Sequence, residues 1–421
     1  MREVHLEYED YTLENGLRVV LHREPSTPVV CINITYHVGS KDETEGKSGF
    51  AHLFEHLMFG GSANVPRGMY DQYCERAGGY NNAYTTEDKT AYYIMLPAHR
   101  LALGLWLESD RLRSLVLTAE AVEVQRQVVM EEKRQRIDNQ PYGSVEEKIA
   151  SLAFAGTPYG HTVIGSMEDI RAATLEDVLA FHETYYSPSN AVLSIAGDIE
   201  LDEAKKLVEG YFAGIPAGKP QARPPRSPVL SNAGLREVVK DNVPLPGVFM
   251  VFPTCAETED DFVSIDMISD VLSSGESSRL NIRLVRELQL ASSVSVHVDG
   301  REYPGLTLVV AFANPGVSAG DLEEELLREI GRLTEEGIAE EELQKTRNAV
   351  ETQFEKHVQR VQNRADRFAH FATIWNDPAV INTLLGTYLA RDIDDLSAAA
   401  RRYFAGGPAL TLHYLPRENE A

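Results

Sequence analysis

Apolar and polar positions recur along this chain with two different periods. In Tyr11-Thr12-Leu13 and Leu17-Arg18-Val19-Val20-Leu21 the period is two, as in half-buried strands. Glu14-Asn15-Gly16 lies between them, and its Asn-Gly pair favours a tight hairpin turn. A third strand is predicted from Val29 to Val38, and residues 48–59 and 118–138 carry a helical period instead. Strands and helices mix in both halves without regular strand–helix–strand alternation. The expected fold class is therefore α+β, with an antiparallel or mixed β-sheet packed with α-helices in each half.

The pattern breaks at Gly214-Ile215-Pro216-Ala217-Gly218-Lys219-Pro220 and again at Pro224, Pro225 and Pro228. Proline and glycine at this density suit neither a helix interior nor a central strand. Residues 216–234 read as a semi-rigid linker between domains spanning 1–215 and 235–421. The two domains look homologous. Glu176 to Pro188 followed by Ala191 to Ile195, and Asp394 to Phe404 followed by Ala409 to Leu412, both read as helix, aromatic pair, turn, strand. Duplication explains that order economically.

Composition narrows the functions open to the chain. Its 421 residues are 43% hydrophobic and 25% charged, enough for sizeable cores. The net charge of -24 repels phosphate backbones, so no nucleic-acid partner is expected. No apolar run has the length of roughly 18–20 residues that a membrane span needs, so no membrane partner is expected either. Met1 to Glu7 has neither a basic start nor an apolar stretch, which points to a cytoplasmic location, or to the periplasm if a leader has been trimmed. Cys31, Cys74 and Cys255 are far apart and read as small buried apolar side chains rather than ligands or a disulfide framework.

The chemistry concentrates in Ser48-Gly49-Phe50-Ala51-His52-Leu53-Phe54-Glu55-His56-Leu57-Met58-Phe59-Gly60-Gly61. On a helix with His52 at zero, His56 falls at about 40° and Glu55 at about -60°. Phe50, Leu53, Phe54, Leu57 and Met58 spread over roughly 100° to 240°, the opposite face. Two imidazoles four residues apart on one face can bind one zinc ion, and Glu55 sits where a carboxylate could deprotonate metal-activated water. The order is H-x-x-E-H, the reverse of the commoner arrangement. A catalytic zinc site wants a third protein ligand and an open position. The predicted helix from Thr118, a potential N-cap, to Asp138 offers Glu131 and Glu132. Glu132 extends a stripe of Ala121, Val124, Gln125 and Val128 that reads as mainly apolar and buried. On the residues alone, a ligand role and a solvent-facing charge both stand for Glu132.

These residues resemble the pitrilysin, insulysin and mitochondrial-processing-peptidase family of zinc metallopeptidases. The resemblance covers nearly the whole chain. It includes Leu13-Glu14-Asn15-Gly16-Leu17, Gly78-Gly79-Tyr80-Asn81-Asn82-Ala83, Arg126 through Glu132, Tyr186-Ser187-Pro188-Ser189-Asn190-Ala191 and Ser277-Ser278-Arg279-Leu280. It implies one Zn2+ per chain on His52, His56 and Glu132, with Glu55 as general base, and two homologous domains forming half of a clamshell. It also implies that Asn82 and Ala83 lie on an edge strand to which a peptide substrate adds as a further strand. Where family members often carry a second glutamate before the ligand, this chain has Gln125, which lies on the face of Glu132 and can still hydrogen-bond there. Active members also use an arginine and a tyrosine from a C-terminal half to hold substrate and stabilise the oxyanion. Arg286 matches the arginine, whereas the tyrosine falls on Ser292 or Ser293. The resemblance thus implies a zinc-bearing subunit that hydrolyses short or unfolded peptides. Its partner would be a second copy or a homologous chain bearing the Arg/Tyr pair. The competing reading is a non-catalytic binding or assembly subunit of the same family.

Overall fold

In the computed structural model, which describes residues 5–219, 221, 223–224, 230 and 234–417, the Asn-Gly turn follows its chemistry. β1 (Glu9–Thr12) and β2 (Arg18–Arg23) pair antiparallel. Gly16 takes a φ of 87°, a left-handed value that suits a residue without Cβ. Then come β3 (Val29–Tyr36), α1 (Phe50–Leu57), α2 (Met69–Arg76), β4 (Tyr80–Thr85), β5 (Thr90–Pro97), α3 (Leu101–Ser114) and α4 (Ala119–Lys133). After α5 (Val145–Ala153), α6 (Met167–Ala172), α7 (Leu175–Tyr185), β6 (Ala191–Gly197) and α8 (Leu201–Phe212), the chain enters the proline-rich stretch. Beyond it lie β7 (Leu235–Asp241), β8 (Gly247–Pro253), α9 (Asp261–Ser273), β9 (Ala291–Asp299) and β10 (Leu306–Ala313). The chain closes with α10 (Ala319–Glu336), α11 (Glu340–Val358), α12 (Val361–His370), α13 (Val380–Ala390), α14 (Ile393–Phe404) and β11 (Leu410–Pro416).

The strands form two sheets, ordered β1-β2-β6-β3-β5-β4 and β7-β11-β8-β10-β9. Without β1 the two orders are the same. In each, a late strand inserts between earlier ones, parallel to one neighbour (β2–β6, β7–β11) and antiparallel to the other. In both, a helix with a capping box, from Thr174 or Asp392, leads into the inserted strand. The α+β class, with a mixed sheet in each half, is therefore observed, and the internal likeness in the sequence is a repeated topology.

The compact units are not the contiguous domains 1–215 and 235–421. One unit comprises Met1–Glu131, Thr162–Pro224 and Gln353–Leu384, and the other Glu132–His161, Pro225–Thr352 and Leu385–Ala421. The cause is a pair of helices that leave their own half of the sequence. In the first unit α12 lies across β3 and β6. It buries Phe368 and Ala369 with Val20 and Val192, and Val361 and Ala365 with Cys31 and Ala196. In the second unit α5 packs on β8 and β11, with Val145, Ile149 and Phe154 against Phe249, Val251, Leu412 and Tyr414. Neither sheet can keep such an apolar second face in water, and each exchanged helix covers one. Of the expected linker, residues 220, 222, 225–229 and 231–233 lie outside the described residues. Its start is tied down, since Ile215 is buried, the Ala217 carbonyl accepts the Ser189 N–H at 3.2 Å, and Arg223 donates to the Asn190 side chain at 2.7 Å. All three cysteines are buried. Among the described residues no helix is long and apolar enough to cross a membrane.

Candidate metal centre

The helical wheel of the sequence holds for α1. Phe50, Leu53, Phe54, Leu57 and the adjoining Met58 are all buried, while His52, Glu55 and His56 lie on the half-exposed side. Phe54 packs on Phe181 and Tyr186 and stacks on His182. The helix start is held by carboxylates from outside it. Glu43 accepts the Gly49 and Ala51 N–H groups at 2.8 and 2.7 Å, and Asp169 accepts the N–H and hydroxyl of Ser48 at 2.9 and 2.6 Å. Negative charge at a helix N-terminus satisfies the orphan donors and the helix dipole together. Desolvation nonetheless pushes the Glu43 carboxyl well above the usual range, against the pull of its two N–H donors.

Thr118 caps α4, accepting the Ala121 N–H at 3.1 Å. The helical period runs to Lys133 and ends in a π-helical turn, Arg134–Asp138. One expectation is corrected here. The stripe leading to Glu132 is buried only at Ala121, because Gln125 is half-buried and Val124 and Val128 are 37% and 43% exposed. The helix also buries Val122, Val129 and Met130, which lie to the other flank of that stripe. Glu132 stands between core and solvent, its side chain 16% exposed and paired with the outlying Arg136 at 2.6 Å. Glu131 is exposed, and Gln125 is half-buried. The boundary between units falls between Glu131 and Glu132, yet both belong to one unbroken helix whose body packs in the first unit.

His52, His56 and Glu132 each offer one ligand atom, and these atoms all lie within 4.8 Å of one another. The two imidazole rings stand edge to face, 4.9 Å between centroids and at 89°. Tetrahedral zinc bonded at about 2.0–2.1 Å holds its donors roughly 3.4 Å apart, so small side-chain rotations close the set around an ion. Two neutral nitrogens and one carboxylate form a common catalytic donor set for zinc, with a fourth position left over. The residues present fit the ion.

Glu55 accepts a hydrogen bond from the Thr85 hydroxyl at 2.6 Å. Thr85 ends β4, which is the edge strand of the first sheet, so Asn82 and Ala83 do lie on an edge strand beside α1. The Ala83 N–H is bonded to the Asn82 side chain at 2.9 Å. β4 is anchored by α12, through Tyr80 to Gln362 at 3.0 Å and Tyr84 to Asp366 at 2.5 Å.

Known proteins share these features. Residues 18–167 match the description "Insulinase (Peptidase family M16)", and residues 172–350 match "Peptidase M16 inactive domain". Zinc protease PqqE of Helicobacter pylori is 32% identical over 97% of this chain and 93% of its own length. The chain belongs to peptidase family M16. The crystal structure of a protease from Helicobacter pylori superposes with a TM-score of 0.92 at 31% identity, covering 98% of this chain and 100% of that one. The probable mitochondrial-processing peptidase subunit beta of Schizosaccharomyces pombe is 32% identical over 48% of this chain and 44% of its own. M16 relatives are thus named zinc proteases or processing-peptidase subunits, and the class of the chain is that of a peptidase.

The second unit of this M16 chain carries the remaining expected residue. Arg286 lies in a π-helical stretch, Asn281–Glu287, half-exposed and ion-paired with Glu276. Ser292 and Ser293 open β9, exposed, and Ser292 donates to the Phe312 carbonyl at 3.1 Å. No phenol stands at either position.

Sequence reasoning missed several residues around the M16 centre. Thr85 and Glu43 come from loops or strand ends and carry no periodic signal. Arg111 and Glu108, which the sequence does not single out, are both buried and bonded at 2.5 Å. The Arg111 guanidinium lies over Tyr92 and Tyr70, 4.4 and 4.9 Å from their centroids. Tyr70 donates to Glu108 at 2.6 Å. Only the packing of α3 on the sheet reveals this.

Proposed function

We propose that the chain is a zinc-dependent endopeptidase acting on short or unfolded peptides. The observation that carries this is the convergence of His52, His56 and Glu132 within 4.8 Å, with Glu55 on the same helix as both histidines. A zinc ion held there supplies Lewis acidity, making water a better acid and a carbonyl a better electrophile. The chain's own residues do the rest. Glu55, oriented by Thr85, accepts a proton from the attacking water and passes it to the departing amine. The outer edge of β4 at Asn82 and Ala83 takes the peptide backbone as an added strand, the Asn82 side chain giving up the Ala83 N–H to it, which demands little of the peptide's sequence. That supports an unfolded substrate, because a folded one has no extended segment to lend.

The proposal includes a homologous partner or a second copy of the chain. Arg286, paired with Glu276 in this structure, is the residue proposed to hold substrate, but a serine hydroxyl at 292 or 293 is too short to replace a phenol as an oxyanion donor. Such a donor is worth about 10²–10³ in turnover. The same serines favour a second reading, a binding subunit without catalysis.

The test is cleavage of quenched-fluorescence peptides by the purified chain, with zinc content verified at one per chain, alongside Glu55→Gln. Cleavage should fall about 10²–10⁴-fold in the variant with zinc retained. Zinc retained without cleavage, even after a homologous Arg/Tyr chain is added, would leave the binding subunit as the correct reading.

A further inference from the structure

The side chain of Lys41 has no exposure to solvent. A buried ammonium is costly unless it is paired and hydrogen-bonded. Here Nζ lies 3.1 Å from the Asp88 carboxylate, donates to the Asp88 carbonyl at 3.2 Å and stands 3.6 Å from the Asp42 carboxylate. Well-packed apolar side chains often replace a buried ion pair with no loss of stability. What the lysine adds is direction, since its donors hold two separate groups of one residue.

Asp88 belongs to the turn that joins β4 to β5. Thr85 and Thr90 are the last pair of those strands, and the Thr86 N–H donates to the Lys89 carbonyl at 2.8 Å. The segment carrying Lys41 is laid along this turn. The Ser40 and Lys41 N–H groups donate to the Thr86 and Glu87 carbonyls at 3.2 and 3.0 Å. Gly39 permits the approach, because a Cβ there would fall 2.3 Å from the Glu87 carbonyl. On the other side, Glu43 holds the Gly49 and Ala51 N–H groups at the start of α1, and the Tyr185 hydroxyl donates to the Asp42 carbonyl at 2.8 Å. Residues 39–43 thus grip the end of β4 and the start of α1 together. Those two elements carry Thr85 and Glu55, whose side chains meet at 2.6 Å.

We infer that Lys41 is a positioning residue for Glu55: it fixes the β4–β5 turn, the turn fixes Thr85, and the Thr85 hydroxyl fixes the carboxylate. This rests on the peptidase reading above. The metal donors stand on α1 and α4, not on the turn. Loss of Lys41 is therefore felt in turnover and not in zinc binding.

The experiment uses the full, zinc-loaded chain and K41M/D88N, which removes both charges and keeps their volumes. On a quenched-fluorescence peptide kcat should fall about tenfold, with KM changed less than about threefold and zinc still at one per chain. In a Thr85→Val background the same two changes should cost less than about twofold, because residues acting in series are not additive. Losses that multiply, or an unchanged kcat in K41M/D88N, overturn the assignment. Hydrogen exchange on the same proteins needs no cleavage. Amides of residues 40–41 and 86–89 should exchange about tenfold faster in K41M/D88N, while those of β2 and β6 match the parent. Unchanged exchange at the turn overturns the assignment whether or not the parent cleaves. Faster exchange there, in a parent that cleaves nothing, upholds the hold of Lys41 on the turn and sinks the peptidase reading alone. Should K41M/D88N fail to fold, Asp88→Asn by itself, which keeps the bond to the Asp88 carbonyl, should lose about threefold in kcat, and no loss overturns the assignment.

Discussion

The hydroxyl of Thr85 sets which way the Glu55 carboxylate faces. A hydrogen bond to a charged group is worth about 1.5–3 kcal/mol. Thr85→Val keeps the shape and removes the donor, so turnover should fall roughly ten- to a hundredfold, with zinc content and melting temperature preserved and activity recovered in Thr85→Ser. Comparing kcat across the three proteins checks this. His182 matters differently. It stacks on Phe54 behind α1, and burial lowers its pKa. The unfolded chain therefore binds its proton more readily than the folded one. Stability should decline as pH drops below about 6.5, and the loss is complete once pH is below the folded value. In metal-free protein, His182→Phe should lose less stability between pH 7 and pH 5 than the parent, as read by urea denaturation. At this scale the sequence revealed His52, Glu55 and His56, because they share a helix with a clear apolar face. It hid Thr85, thirty positions from Glu55 in the chain and brought to it only by packing of strand on helix.

At the scale of elements, β4 is the edge strand of its sheet, and the side chains of Tyr80 and Tyr84 tie one of its faces to α12. Tyr84→Phe removes the bond to Asp366 without changing ring packing. KM should rise about three- to tenfold with kcat little altered, since one hydrogen bond is worth about 1 kcal/mol. Steady-state kinetics on one peptide decide it. The elements themselves were largely legible, as the hairpin, β3, α1 and α4 fall close to where period and turn chemistry put them. The buried side of α4 was not. Alternate turns of valine suit either a core or an apolar binding surface, and helical period alone cannot say which side faces a neighbour. That Asn82 and Ala83 lie on an edge strand came from the family resemblance, not from any local pattern.

Across the whole molecule, a zinc ion on the proposed site would join His52 and His56 to Glu132, nearly eighty positions away, and ligand binding to the native state raises stability by mass action. Chelation should lower the melting midpoint by a few degrees, reversed by added zinc, with no shift in His52→Ala; calorimetry at fixed protein concentration tests it. The duplicated α+β architecture was readable from two matching helix–strand segments. The exchange of α5 and α12 was not, because an amphipathic helix carries no record of which sheet it covers.

That exchange also has a consequence in time. Tyr84 precedes its anchor Asp366 by 282 residues. At about 5–20 residues per second, roughly 15–60 s of synthesis separate them. In the later part of that interval, once β6 has been made, the nascent chain already contains His52, Glu55, His56 and Glu132, but β3 and β6 lack their cover and β4 its anchor. The edge strand proposed to receive a peptide is thus tied to α12 only long after the residues proposed to hold the metal have been made.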